Sequence, residues 1–313
     1  MSMFAICQHS GEKYLRGQIE AVRLCLAHWG EKMDLFLFRL SLKAKEMADL
    51  FEARDPEGRP YSRENWLRHF FEREREFLHY KNKFVMMPVE DLFVPRLPHL
   101  RFVWIARELQ KSERTPPSEG LEPTKHPSWQ ASFLAIDPTD HQDGQLIALE
   151  HNDEIGIPKA IINSLIKALN DDIDAPYFVQ AFPLVRKGSF WEFALQHRDE
   201  IKSVTFAVAA PNMFKDADDF QEEYRSLRDG ENVSSVRATL ESDTALKHRT
   251  ERMTGLINYV ERGAGELSAE ATDGTRYHSS EHEMKTTADI ENHKNNLATF
   301  LREIVAVLDR IFP

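Results

Sequence analysis

The chain has 313 residues, of which 42% are hydrophobic and 10% aromatic, and this composition excludes a wholly disordered protein. The length is sufficient for one large domain or two. The formal charge of −11 opposes unaided, non-specific binding to nucleic acid, because affinity for phosphates comes largely from Lys and Arg.

Membrane and secretion signals are not found in the sequence. No apolar run approaches the roughly 20 residues of a membrane helix, and the opening segment MSMFAICQHSGEKYL lacks the basic and apolar regions of a secretory signal. Cys7 and Cys25 are too few for a disulfide framework or a four-thiolate zinc site. We therefore expect a cytoplasmic protein without membrane insertion.

The first part of the chain, residues 1–83, is predicted to be a helical arm with one strand. Residues 1–33 carry apolar side chains at helical spacings of three to five. The run DLFLFRLSL at 34–42 is apolar at nearly every position and indicates a buried strand, followed by an amphipathic helix. Another helix is expected from Ser62 through SRENWLRHFFEREREFLHYKNK, to residue 83.

The second part, residues 84–313, is predicted to be an α+β body. Short apolar runs such as KFVMMPVEDLFV are separated by Pro, Gly and Asp, which is typical of strands. Residues 111–128 contain four prolines and one glycine, and this composition predicts an exposed, mobile loop. Helices and strands then alternate to the end. We therefore expect an α+β fold, with a helical N-terminal part and a long C-terminal helix over 291–312, built on a mixed or mostly antiparallel sheet.

Most enzyme motifs are missing. Neither a Walker phosphate loop nor a G-x-G-x-x-G turn occurs. Gly156 and Pro158 are interpreted as the junction between a strand and a helix, because Pro fits the first helical turn. His278 and His282 are interpreted as a solvated strand face, since the segment is not an H-E-x-x-H helix. We therefore predict no metal ligands and no cofactor, and nothing in the sequence requires an enzyme.

One acidic group keeps a nuclease as an alternative. Asp137, Asp143 and Glu150 are close in sequence, and carboxylates on adjoining strands hold divalent metals in nucleases. No Lys follows Glu150 at that strand end, however, and DPTDHQDG is also typical of a polar hairpin loop.

Residues 63–114 are basic within an acidic chain, with 11 Lys and Arg against 8 Asp and Glu. Cations are mixed there with aromatic side chains, which can place charges on phosphates and rings against bases. The interleaved Glu residues favour the alternative of an exposed helix with ion pairs between positions i and i+4. The candidate nucleic-acid contacts are Arg68, Arg73, Arg75, Lys81 and Lys83.

The order of segments over residues 145–313 resembles that of the RexA-like and KwaB-like bacterial antiphage defence proteins. The shared features are a strand before a Gly turn and helix in QLIALEHNDEIG, the strand that reaches PLVRKG, the strand SVTFAVAAPNMF, and a long last helix. The resemblance implies a DNA-binding sensor or effector that acts with a partner protein. It also implies phosphate contacts at Arg186 and Lys187, which occupy the matching PLVRKG positions.

Besides the nuclease, the sequence leads to two hypotheses about function. The favoured one is a DNA-binding component of an antiphage defence system. The other is a non-enzymatic protein-interaction subunit of a larger assembly, which the acidic surface and the exposed segment 111–128 favour. Both imply a partner protein, and both are compatible with a homo-oligomer.

Overall fold

A computed structural model gives the fold for most of the chain. It describes residues 32–45, 58, 62–89, 96–141, 144–172, 175–209, 231, 233, 235–289 and 297–312. The helical arm predicted at 1–33 and the helix expected after the first strand therefore lie almost entirely outside the described residues.

The described elements are numbered here in chain order. The strands are β1 (Lys32–Ala44), β2 (Arg75–His79), β3 (Asn82–Pro88), β4 (Arg101–Arg114), β5 (Pro123–Asp137), β6 (Gln145–Glu150), β7 (Tyr177–Pro183), β8 (Ile201–Ala209), β9 (Ser235–Glu241), β10 (Gly265–Ala271), β11 (Arg276–His278) and β12 (Lys285–Asp289). The helices are α1 (Arg63–Phe71), α2 (Pro158–Asp171), α3 (Ser189–Gln196), α4 (Glu251–Glu261) and α5 (Leu297–Ile311). Among the described helices, none is long and apolar enough to span a membrane.

Eight strands form the first sheet, sheet I, which curls into a half-barrel. Its order is β12-β1-β6-β5-β4-β3-β2, and β7 also pairs with β1. β12 and β7 share one edge of β1 in tandem, because β12 pairs with Lys32–Phe36 and β7 with Phe38–Ala44. They meet at Leu37, whose N–H donates to the Met284 carbonyl (3.2 Å) and whose carbonyl accepts from the Leu184 N–H (2.8 Å).

Burial of both faces explains the apolar run of β1. Phe38 and Leu40 lie in the apolar cluster that contains α1 and α2, whereas Leu35 and Leu37 lie in the cluster that contains α5. Neighbouring side chains of a strand point to opposite faces, so a strand between two layers is apolar at nearly every position. The strand predicted at 34–42 is therefore confirmed, and it extends further at both ends.

Four strands form the second sheet, sheet II, in the order β11-β10-β8-β9. Helices α3 and α4 cover one face, where Phe190 and Ile257 share an apolar cluster with Phe206. β10 begins at Gly265, where a Cβ would lie 2.5 Å from the Ala207 carbonyl oxygen, so the close approach of β8 requires glycine. The opposite face of sheet II forms one wall of a cleft.

The predicted fold class is wrong. The structure is mostly antiparallel sheet, with 46% strand and 26% helix, and its short helices cover the sheets. The first described element is a strand, and the C-terminal helix is not long, since α5 has 15 residues. Strand content exceeds the expectation because β4 and β5, of 14 and 15 residues, continue through polar sequence without apolar alternation. The predicted division into residues 1–83 and 84–313 stays a prediction.

The helix expected from Ser62 to residue 83 begins as predicted but ends at Phe71. The Ser62 Oγ accepts from the Asn65 N–H at 3.1 Å and caps the helix. The chain beyond it forms the β2–β3 hairpin, in which Phe77 pairs with Phe84 and both rings are buried. Pairing and burial in the sheet override the helical preference of the Glu- and Arg-rich run.

Residues 111–128, predicted as an exposed loop, are instead the outer part of a β4–β5 hairpin. The two strands pair out to Arg114 and Pro123. Pro123 and Pro127 fit because, among the described strands, none pairs with the outer edge of β5 at these positions. We call residues 108–129 the arm, and most of its side chains are exposed.

Asn170, near the end of α2, holds β7 in place. Its Nδ2 donates to the Val179 carbonyl at 2.8 Å, and its Oδ1 accepts from the Val179 N–H at 2.7 Å. The carboxamide thus acts as a neighbouring strand on one edge of β7, while β1 pairs with the other edge. Because unpaired backbone groups in the interior are costly, this contact fixes the position of β7 against α2.

Replacing Asn170 with Ala is expected to lower the free energy of unfolding by about 1–3 kcal/mol, because both Val179 groups lose their partner. Chemical denaturation followed by circular dichroism measures the change. Asn163→Ala, at an exposed position of the same helix, is the matched control and should change stability by less than about 0.5 kcal/mol. Equal losses in both variants would contradict the role assigned to Asn170.

Candidate nucleic-acid interface

A cleft of about 550 Å³ lies between α2 and β7 on one side and the open face of sheet II on the other. This volume is in the range of sites that hold small organic groups. Cations from both walls meet in it, together with side-chain amides from α2 and β7, and this makes it the candidate site. The polar lining includes Lys159, Asn163, Lys167, Gln180, Arg237 and Glu266.

Helix α2 presents a row of polar side chains to the cleft. Lys159, Asn163 and Lys167 follow one another at intervals of four residues, so they lie on one side of the helix. The other side buries Ile161 and Leu165 against sheet I. Sequence reasoning missed this row, although the apolar spacing in PKAIINSLIKALND leaves only one side of the helix polar.

Among the residues that the structure describes, only one of the three cations in the cleft forms an ion pair. Lys159 Nζ lies 2.6 Å from Glu266 Oε1, and this ion pair joins α2 to β10. Lys167 and Arg237 are exposed and form no ion pair with any residue that the structure describes. Asp171 also lines the cleft, so it holds three cations and two carboxylates. Cations that converge on a concave surface attract anions.

Glu283 is partly buried and interacts with the ion pair at one end of the cleft. Burial raises the pKa of Glu283 above its usual value, the charge of Glu266 raises it further, and Lys159 lowers it. The ammonium of Lys159 is therefore under the influence of two carboxylates. This end of the cleft therefore becomes less negative as pH falls through the raised pKa of Glu283.

Strand β7 supplies aromatic side chains to the cleft. Phe178, Gln180 and Phe182 line it, and alternate residues of a strand share one face. The Phe178 side of this face is open, since Phe178 is 39% exposed. An exposed ring beside cations is the combination that proteins use to hold unstacked bases.

A smaller cleft of about 230 Å³ continues the polar surface over sheet II. It shares Arg237 and Glu266 with the main cleft and adds Thr205, Ser268 and His278. Arg237 therefore lies where the two clefts meet, and hydroxyl and imidazole groups extend the surface beyond it.

The five cations predicted between 68 and 83 lie on α1 and around the β2–β3 hairpin, and none of them lines the cleft. Arg73 and Lys81 are exposed. The guanidinium of Arg75 lies over the Phe70 ring, 4.4 Å from its centroid. Three of the five form ion pairs: Arg68 with Glu64, Arg75 with Asp172, and Lys83 with Glu76.

Arg186 and Lys187 lie in the connection between β7 and α3, apart from the other five cations. Arg186 forms two hydrogen bonds of 2.7 Å with the carboxylate of Glu192, and this pairing lowers the pKa of Glu192. Lys187 is exposed in the turn before α3. None of the seven predicted contacts lines the cleft.

The acidic residues considered for a metal site are separated in the structure. Asp137 is buried at the end of β5, and Glu150 is buried at the end of β6, where it accepts from the Phe133 N–H at 2.8 Å. The register of β5 and β6 places Glu150 four residues, about 13 Å, along the strand from the level of Asp137. Asp143 lies outside the described residues. Within the described ranges, no group of three His, Cys, Asp or Glu side chains could hold a metal ion.

The junction at Gly156 and Pro158 has the geometry of a strand-to-helix turn. Gly156 has a φ of +129°, which only glycine adopts readily, and Pro158 is the first residue of α2. The histidine pair does not form one face, because His278 is exposed in β11 whereas His282 stacks on Tyr277 with ring centroids 4.9 Å apart.

The raised pKa of Glu283 predicts a pH-dependent gain in stability on removing its charge. In the folded state this carboxyl holds its proton more tightly than in the unfolded chain, so its contribution to stability falls as pH rises through the folded-state pKa. Glu283→Gln is therefore expected to raise the free energy of unfolding at neutral pH, with the gain disappearing at acidic pH.

Urea denaturation over a pH series measures this difference. The control is Glu281→Gln, which alters an exposed carboxyl two residues away and should show no gain that depends on pH in this way. A gain from Glu283→Gln that stays constant over the whole pH range would contradict the assignment.

Comparisons with known proteins leave the cleft as the main source for a functional argument. The chain matches no protein family model, no curated protein and no solved structure.

Proposed function

We propose that this protein binds nucleic acid and serves as the DNA-binding sensor or effector of a bacterial antiphage defence system, acting with a partner protein. The observation that carries the proposal is a pair of cations, Lys167 and Arg237, on opposite walls of one cleft, which form no ion pair with any described residue. The resemblance of residues 145–313 to antiphage proteins supplies the biological setting.

The acidity of the chain favours a focused site over a broad basic face. With a net charge of −11, the chain as a whole repels phosphate, so affinity depends on places where cations converge without ion-pair partners. Several cations of the basic stretch 63–114 do have ion-pair partners, because Arg68, Arg75 and Lys83 each pair with a carboxylate. Lys167 and Arg237, by contrast, form no ion pair with the residues in the described ranges.

The neutral groups in the cleft suit the same ligand. Asn163 and Gln180 each offer amide donors and an acceptor, which can bind a phosphate oxygen or a base edge. Thr205 and Ser268 add hydroxyls on the adjoining surface. The exposed Arg73, Lys81 and Lys187 are proposed as outlying phosphate contacts, and the ion-paired Arg186 as a weaker one, since it would have to leave Glu192.

Charge reversal in the cleft tests this function. Lys167→Glu and Arg237→Glu are each expected to weaken binding of a labelled oligonucleotide, and each should reduce the slope of log affinity against log salt by about 0.7–0.9. Fluorescence anisotropy at a series of salt concentrations gives both quantities. Binding that is absent at every salt concentration, or insensitive to salt, would refute the proposal.

Lys125→Glu in the exposed arm is the matched control, because it makes the same change in total charge outside the cleft. Arg73→Glu and Lys187→Glu are expected to have smaller effects than the cleft variants. Equal losses from Lys125→Glu and Lys167→Glu would show that total charge, and not the cleft, determines binding.

The arm favours a second candidate function, that of a protein-interaction subunit. Its two strands are exposed on both faces over most of their length, and Trp129 and Leu121 are 46% and 47% exposed. An isolated two-stranded hairpin is only marginally stable in water, so a partner that covers the arm would stabilise it. Trp is also enriched at protein interfaces.

Shortening the arm tests this second function. Replacing residues 110–127 with Asn-Gly closes the hairpin between Leu109 and Ser128 with a two-residue turn and keeps the register of the remaining strands. A protein that co-purifies from the native host in fixed stoichiometry is expected to be lost with this variant but kept with Lys167→Glu. Retention of that protein by the shortened chain would contradict a role for the arm.

A further inference from the structure

Strand β7 and helix α2 run side by side along the cleft and carry different chemistry. The Asn170 side chain of α2 forms hydrogen bonds with the backbone of Val179 in β7. Lys167, one turn before Asn170, and Phe178, next to Val179, therefore lie at the same end of the cleft. At the other end, Lys159 of α2 pairs with Glu266 of sheet II. Lysine side chains thus line the cleft from α2, and aromatic rings line it from β7.

The spacing of the side chains along β7 and α2 suits a nucleic-acid strand whose bases are not stacked on one another. Alternate residues of a β-strand are about 6.8 Å apart, so Phe178, Gln180 and Phe182 recur at twice the 3.4 Å interval of bases in a duplex strand. Lys159 and Lys167, eight residues apart on a helix, are separated by about 12 Å, close to two of these intervals.

The size of the cleft also limits the ligand. Its volume of about 550 Å³ is that of a site for a small organic molecule, which is too small to enclose a duplex. A duplex offers its bases only through its grooves, where their faces are covered by stacking. Stacking on the exposed Phe178 ring requires a base whose face is uncovered, and an unpaired base provides such a face.

From these observations we propose that the cleft takes single-stranded nucleic acid, with phosphates on Lys167 and Arg237 and a base stacked on Phe178. This inference rests on the proposed nucleic-acid function and narrows it to one form of the ligand. The strand lies along β7, and Gln180 contacts the edge of the base next to the stacked one. Phe182, which is partly buried, supports the following base.

The test compares a labelled 12-nucleotide oligothymidine with a 12-base-pair duplex of mixed sequence, using the full chain and fluorescence anisotropy. The single strand is expected to bind at least tenfold more tightly than the duplex. Phe178→Leu, which keeps an apolar side chain but removes the ring, is expected to weaken single-strand binding by about 5- to 150-fold. Phe178→Trp is expected to retain it, since a larger ring still stacks.

Leu195→Ala is the matched control, because Leu195 is an apolar side chain on α3 that is 61% exposed and does not line the cleft. Circular dichroism of all variants verifies that they fold. Equal binding of duplex and single strand, together with full binding by Phe178→Leu, would overturn this inference and leave the proposed function standing. Failure of both ligands to bind at low salt would overturn both.

Discussion

The edge of β1 at Leu37 is the constraint on which the rest of the structure depends. β7 runs toward Leu37 and β12 runs away from it, both antiparallel to β1, so the two strands share this edge in tandem. Beyond Leu37 the two segments pair with each other, through the Met284 N–H to the Leu184 carbonyl (2.7 Å) and the Arg186 N–H to the His282 carbonyl (2.8 Å). The strands of sheet II therefore lie, in chain order, between β7 and β12, which both pair with β1.

This anchoring creates the cleft and decides which residues enter it. Sheet II covers its own core with α3 and α4, so its other face turns toward α2 and β7. The Lys159–Glu266 ion pair then ties the two walls together at one end. Lys167 and Arg237, more than 60 residues apart in sequence, face one space for this reason, and the fold alone does not imply what binds there.

Charge counted along the sequence and charge available in space are different quantities in this protein. Within the basic stretch 63–114, Arg68 pairs with Glu64 and Lys83 with Glu76, whereas Arg75 pairs with Asp172 at the end of α2. Helix α2 carries only three Lys or Asn residues on its exposed row, a pattern that is unremarkable in sequence. Two of the cations in the cleft matter because they form no ion pair with any residue in the described part of the chain.

Features that depend on a single segment could be read from the sequence. Local periodicity and backbone geometry predict three such features. They are the strand β1, which is buried on both faces, the helix cap at Ser62, and the turn at Gly156 and Pro158. Tertiary structure alone decided that residues 75–79 form a strand, that 111–128 extend a hairpin, and that α2 faces sheet II. The reason is that strand pairing and charge neutralisation join residues far apart in the chain, whereas periodicity reports only the environment of one element.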